Sequence, residues 1–194
     1  MVQPAVPIDI DPETGIWRTD GLPMLYLPRH FLVNNHKAVE QALGRDAYSA
    51  ILREATEKSA IHWCRSEAKA HGLDPEATFR HYFKRLSQRG WGQFSIESLE
   101  PNEGRGRIDL KNSVFVLEAV GRSEYPLCYM FEGFITGAFR FLLRESRGAI
   151  AVRTDASILC REVCCAGLTG AVACSFEFST TDRGNKPQSK GSQI

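Results

Sequence analysis

The apolar positions change period along the chain, and the change divides it in two. From Gly15 to Leu27 two short β-like pieces, GIWRT and PMLYLP, flank the turn-forming pair Asp20-Gly21. From Pro28 the spacing turns helical, predicting a helix over about His30 to Leu43 that stops at Gly44. Tyr48, Ile51, Leu52, Ala55 and Trp63 continue helical spacing in a segment ending near Gly72. A third helix opens at Asp74, an N-cap followed by Pro75 and Glu76. Its Phe79, Tyr82, Phe83 and Leu86 fall at i, i+3, i+4 and i+7, one face to bury.

After Gly90 the period becomes two. Strands are expected over Trp91 to Leu99 and Arg107 to Ala119, around the turn Pro101-Asn102-Glu103-Gly104. The stretch from about Leu127 to Leu143 is apolar nearly all round, so a deeply buried helix is expected. Two more strands, near Ile158 to Cys165 and Ala171 to Phe178, flank a glycine turn at Gly167–Gly170. The expected architecture is one α+β domain over residues 1–180, with helices first and an antiparallel sheet after them. A polar, disordered tail is expected over 181–194.

Composition narrows the function classes. With 194 residues, 43% hydrophobic and a net charge of +1, the chain can bury a core and lacks the basic patch of a nucleic-acid binder. Its first residues show neither a basic nor an apolar signal region, and no run approaches the ~18 apolar residues of a membrane span. A cytoplasmic protein is expected. The cysteines Cys64, Cys128, Cys160, Cys164, Cys165 and Cys174 then read as reduced thiols: core residues, metal ligands or a redox site. The five histidines fall in helical segments far in sequence from the cysteines, and none is given a role. Phosphate-loop, dinucleotide-binding and nucleophile-elbow patterns are absent.

The specific signal lies in the second half: Cys128-Tyr-Met-Phe-Glu-Gly133-Phe-Ile-Thr-Gly137, then Glu162-Val-Cys-Cys165, Gly170 and Cys174-Ser-Phe176. Asn112-Ser113-Val-Phe115 precedes it. Over about Arg107 to Phe178 this resembles the 4-vinyl-reductase-type domain, which also forms the sensor region of bacterial regulators of aromatic catabolism. The resemblance implies a fold like that of TRAPP vesicle-tethering subunits, often dimeric. It also implies a zinc ion held by three cysteines and an acidic residue beside an apolar pocket. By position the thiolates are Cys128, Cys165 and Cys174. Cys164 is adjacent to Cys165 and could replace it, and Asp109 or Glu118 is the nearest acidic candidate. Thiolates suit a closed tetrahedral zinc site, but buried core cysteines would look the same in sequence.

The aromatics Trp91, Phe94, Phe115, Tyr129, Phe131 and Phe134 could line a pocket or simply fill the core. For the pocket, Phe115, Tyr129, Phe134, Gly133 and Gly137 are the candidates. The two glycines lie one turn apart on a helix face, where either a ligand or a neighbouring element could come close. The leading expectation is a sensor or carrier that binds a small apolar or aromatic molecule, acts as a homodimer, and touches neither nucleic acid nor membrane. The alternative is a reductase, or an accessory to one, acting on a vinyl or aromatic substrate.

Overall fold

The computed structural model describes residues 6–119, 121–146 and 156–181. The polar tail beyond Thr181 lies outside the described residues. The chain opens with a small antiparallel meander of β1 (Asp9–Ile10), β2 (Trp17–Thr19) and β3 (Leu22–Met24). Three helices follow: α1 (Arg29–Leu43), α2 (Arg45–His71) and α3 (Pro75–Gln88). Asp74 caps α3 as its sequence predicts, its side chain accepting from Ala77 N–H at 2.8 Å. Phe79, Tyr82, Phe83 and Leu86 are all buried. Gly44 and Gly72 end the helices before them at positive φ, and Gly72 does so in the left-handed conformation.

The main sheet has the order β4-β5-β7-β6, all antiparallel, from β4 (Gln93–Glu100), β5 (Arg105–Lys111), β6 (Ser157–Cys164) and β7 (Cys174–Thr181). A short helix, α4 (Val114–Leu117), follows β5, and α6 (Ala166–Thr169) joins β6 to β7. The expected strand from Arg107 to Ala119 therefore ends at Lys111. Asn112 takes φ 55°, which turns the chain, and the Ser113 hydroxyl accepts from Phe115 N–H to start α4.

The buried helix is α5 (Met130–Glu145), with thirteen of its sixteen residues inside. It packs between the sheet and the outer helix α2, while α3 lies beside it on the same sheet face. The core is an aromatic cluster in which Phe131 meets Phe94, Phe115 and Phe176, and Phe139 meets Phe79 and Phe178. Helix α2 carries polar residues on most faces, yet it is anchored on α5 by directed bonds. Thr56 donates to Met130 C=O at 3.2 Å, and Arg53 pairs with Glu132 at 2.6 Å.

Candidate functional site

Three predicted thiols converge where the end of the β6–β7 pair that α6 connects meets the start of α5. Cys164 pairs with Ser175 at the last rung of the sheet register, so Cys165 and Cys174 sit just beyond it. Cys128 lies on the turn that leads into α5, where its C=O accepts from Phe131 N–H at 2.9 Å. The Cys128 and Cys174 sulfurs are 3.6 Å apart, and Cys165 interacts with both. Cys128, Cys165 and Cys174 are all buried. Cys164 points the other way, its sulfur 3.7 Å from Thr169 Oγ1 on a half-buried edge.

The acidic member of the group is Glu162, not Asp109 or Glu118. A carboxylate oxygen of Glu162 and the sulfurs of Cys128 and Cys174 lie within 4.8 Å of one another. Asp109 instead pairs with Arg107 at 3.3 Å, and Glu118 with Arg29 at 3.7 Å. A register break between Glu162 and Cys164 explains the placement. In a regular strand, residues three apart face opposite sides; the extra residue of a bulge brings Glu162 and Cys165 to one side.

Backbone amides already support negative charge on these atoms. Leu127 N–H points at the Cys165 sulfur at 3.4 Å and Ala166 N–H at the Cys174 sulfur at 3.3 Å. Cys128 N–H donates to Glu162 Oε2 at 2.9 Å. The second oxygen, Glu162 Oε1, is buried and accepts no hydrogen bond from any described residue. Four acids this close cannot all ionise together unless a cation neutralises them. Burial, with Cys165 beside it, pushes the Glu162 carboxyl up to about 8. The Cys128 thiol rises through its contacts with Cys165 and Cys174, while the same contacts hold Cys165 far below an ordinary thiol. A tetrahedral zinc site wants four such S and O donors, and one unpaired buried carboxylate oxygen fits that demand.

The pocket candidates separate. Phe134 and Phe115 are core: Phe134 meets Tyr82, Trp91 and Phe131, and Phe115 packs on Phe131 and on His36. Gly137 is not beside a cavity. A Cβ there would lie 2.8 Å from Ala60 Cβ and collide with the Glu57 carbonyl, so the glycine lets α2 and α5 touch. Gly133 serves the same contact against Arg53 and Thr56. It also borders, with Tyr129, a cleft of about 440 Å³ whose walls carry Arg45, Arg53, Glu132 and Glu162. That cleft is polar and ion-paired. Tyr129 donates to Glu40 at 2.5 Å and packs at a tilt against the ring of His36, a residue given no role from the sequence.

The apolar cavity lies elsewhere. It measures about 370 Å³ and sits between the N-terminal meander, α1 and the turn after α3. Met24, Leu27, Leu32, Trp91 and Val114 line it, with Arg29 and Arg89 at its polar side. Arg29 Nε and Nη2 are buried and donate to no described residue. Asp20 bonds Arg85 at 2.9 Å and Arg89 at 3.2 Å, which fastens the meander to α3. Of these residues sequence reasoning singled out Trp91 alone as a possible lining group. The cavity combines segments far apart in sequence, and no motif marks it.

Residues 2–97 match a family described as a domain of unknown function (DUF5943). No curated protein matches the sequence. Among solved structures, the chain is similar to the phenol-responsive sensory domain of the transcription activator PoxR, solved with phenol. That match has TM-score 0.71 and 17% identity over 89% of this chain and 84% of that one. It is also similar to a trafficking protein particle complex subunit 3 from Naegleria fowleri, covalently bound to palmitic acid. There the TM-score is 0.54 and identity 14%, over 79% of this chain and 95% of that one. Both share the mixed helix and antiparallel-sheet fold.

Proposed function

We propose that the protein is a small-molecule-binding module, a sensor or carrier, that receives an apolar or aromatic ligand in the cavity beneath the N-terminal meander. The observation that carries this reading is the 370 Å³ apolar space beside the Trp91 ring and the buried Arg29 Nη2, whose N–H groups no described residue accepts. Binding sites for small molecules have this character: mostly apolar walls, a volume of a few hundred Å³ and a few polar groups that fix orientation. Here apolar burial at ~25 cal/mol per Å² would supply affinity, and Arg29 would take an acceptor such as a hydroxyl or carboxylate oxygen. Similarity to a sensory domain solved with phenol supports the reading. The ion-paired cleft beside Tyr129 suits an apolar ligand less well.

As part of the same proposal, Cys128, Cys165, Cys174 and Glu162 hold one zinc ion. Its role is structural, tying the end of the β6–β7 pair to the entry of α5. Two copies of the chain pair, a reading supported by the exposed apolar Phe31, Leu43 and Ile51 on α1 and α2. Light scattering at micromolar concentration should give twice the chain mass.

Thermal-shift measurements with phenol and benzoate test the cavity. Stabilisation of wild type that disappears in Leu32→Trp is the expected result. A pair of probes that bind neither protein, with consumption of a reductant in the presence of a vinyl or aromatic substrate, would overturn it in favour of the reductase reading.

A further inference from the structure

A second ligand set, remote from the cysteines in sequence, lies where α2 meets α3. Glu67 and His71 are one turn apart on α2, and His81 faces them from α3. Glu67 Oε2 is 3.0 Å from His81 Nε2 and 3.4 Å from His71 Nε2, and the three ligand atoms lie within 4.8 Å of one another. Zinc–nitrogen and zinc–oxygen bonds are about 2.0–2.2 Å, which places ligand atoms about 3.4 Å apart in a tetrahedron. The observed spacings are already close to that.

Glu67 itself points to an absent partner. Its side chain is fully buried, and Oε1 accepts no hydrogen bond from any described residue. Burial pushes its carboxyl up, and the two histidines only partly oppose this. A buried carboxylate with one bare oxygen is costly unless a cation or a donor completes it. Access exists, because the His71 side chain is 43% exposed and that of His81 20%. Trp63 stacks on the His81 ring at 5.7 Å between centroids and fixes its plane.

The geometry points to a second metal site, in which Glu67, His71 and His81 bind a divalent transition-metal ion of the zinc class, with the remaining position open to solvent. Two imidazoles and a carboxylate select zinc or its first-row neighbours over calcium and magnesium, which prefer all-oxygen shells. The ion would staple α2 to α3 at the place where Arg89, bound to Asp20, also stacks over Trp63. A staple there would steady the wall of the apolar cavity that Arg89 lines, but the metal site stands without that cavity having any ligand.

The test uses the full reduced chain, stripped of metal and titrated with cobalt(II). Cobalt at the cysteines shows a sulfur-to-metal charge-transfer band; cobalt at Glu67, His71 and His81 shows none, so the two sites are read apart. The expected result is a calorimetric binding event of one ion per chain without that band. The same event should broaden the His71 and His81 ring resonances. Exposed His71→Ala should weaken it about tenfold or more with an unchanged circular dichroism spectrum, and Glu67→Gln should weaken it too. The proposal is overturned if cobalt stoichiometry and affinity are the same in wild type and His71→Ala, or if saturating cobalt leaves both histidine resonances untouched.

Discussion

The thiol junction and the N-terminal cavity are built on opposite plans. At the junction Cys128 and Cys174 are 0% exposed, and two backbone N–H groups already point at sulfur. The cavity is roofed by strands of only two and three residues, with Leu25, Tyr26 and Leu27 largely exposed. A closed, pre-ordered donor set suits a permanent ion, whereas a thinly roofed apolar space suits a ligand that comes and goes. On the proposed reading, damage to the first is measured as lost stability, and damage to the second as lost ligand binding.

The largest expected effect is at the junction. Cys174→Ser should abolish zinc binding and lower stability by about 4 kcal/mol when free zinc is 1,000 times Kd. Glu162→Gln should weaken the metal while leaving the thiols in place. Elemental analysis of reductant-protected protein, alongside urea unfolding with and without a chelator, measures both. If wild type carries well under one zinc per chain and chelation leaves its unfolding midpoint unmoved, the contrast between the two regions collapses.

How far the sequence revealed each region follows from the same contrast. Helix α3 was legible because local signals agree: the Asp74 cap, Pro75 and a single apolar stripe. The three thiols were legible through a motif resemblance, and the structure brings all three together. Glu162 stands in that motif, yet Asp109 and Glu118 were the acidic candidates; strict alternation along a strand aims residue 162 away from Cys165. Only the bulge corrects that, and no residue between them announces it. The end of β5 was readable in principle, since Asn112-Ser113 pairs a residue that tolerates positive φ with a helix cap. Asp20's bonds to Arg85 and Arg89 link residues 65 and 69 positions apart, and local pattern carries no trace of them.

Gly137 sharpens the comparison from the packing side. If the glycine face bordered a ligand space, Gly137→Leu would fill it quietly. Because the face instead lets α2 lie on α5, the substitution should cost roughly 3 kcal/mol, the upper range for overpacking a core. Thermal unfolding of the variant decides between these, and a change below about 1 kcal/mol would show that α2 can move aside.

At the cavity the readout changes. A ligand at 100 times Kd should stabilise wild type by about 2.7 kcal/mol, rising with the logarithm of its concentration. In Leu32→Trp that increment should vanish while zinc content stays at the wild-type level. Loss of zinc in Leu32→Trp would mean that the two regions are not independent.

The smallest effect concerns His36, which sits on α1 between the two regions. Its ring is 7% exposed and packed among Tyr48, Phe115 and Tyr129. Burial lowers its pKa from 6.5, against the opposing pull of Glu40. The unfolded chain therefore takes up this proton at a higher pH than the folded one does. The contribution of His36 to stability is fully present above about 6.5 and is lost as pH falls below it. Glu40, held below its ordinary value mainly by bonds from Tyr129 and Arg45 that outweigh its burial, acts in the same direction in a separate window below 4.5. Glu67 and Glu162 are raised and act with the opposite sign, so the useful quantity is a difference between proteins rather than one curve. His36→Gln should remove the wild-type loss between pH 6.5 and 5, a change bounded by about 1.4 kcal/mol per pH unit for one proton. Urea unfolding of both proteins across that range measures it. Parallel curves would mean that the folded protein admits the proton, and that the aromatic surroundings of His36 open to water more readily than their packing implies.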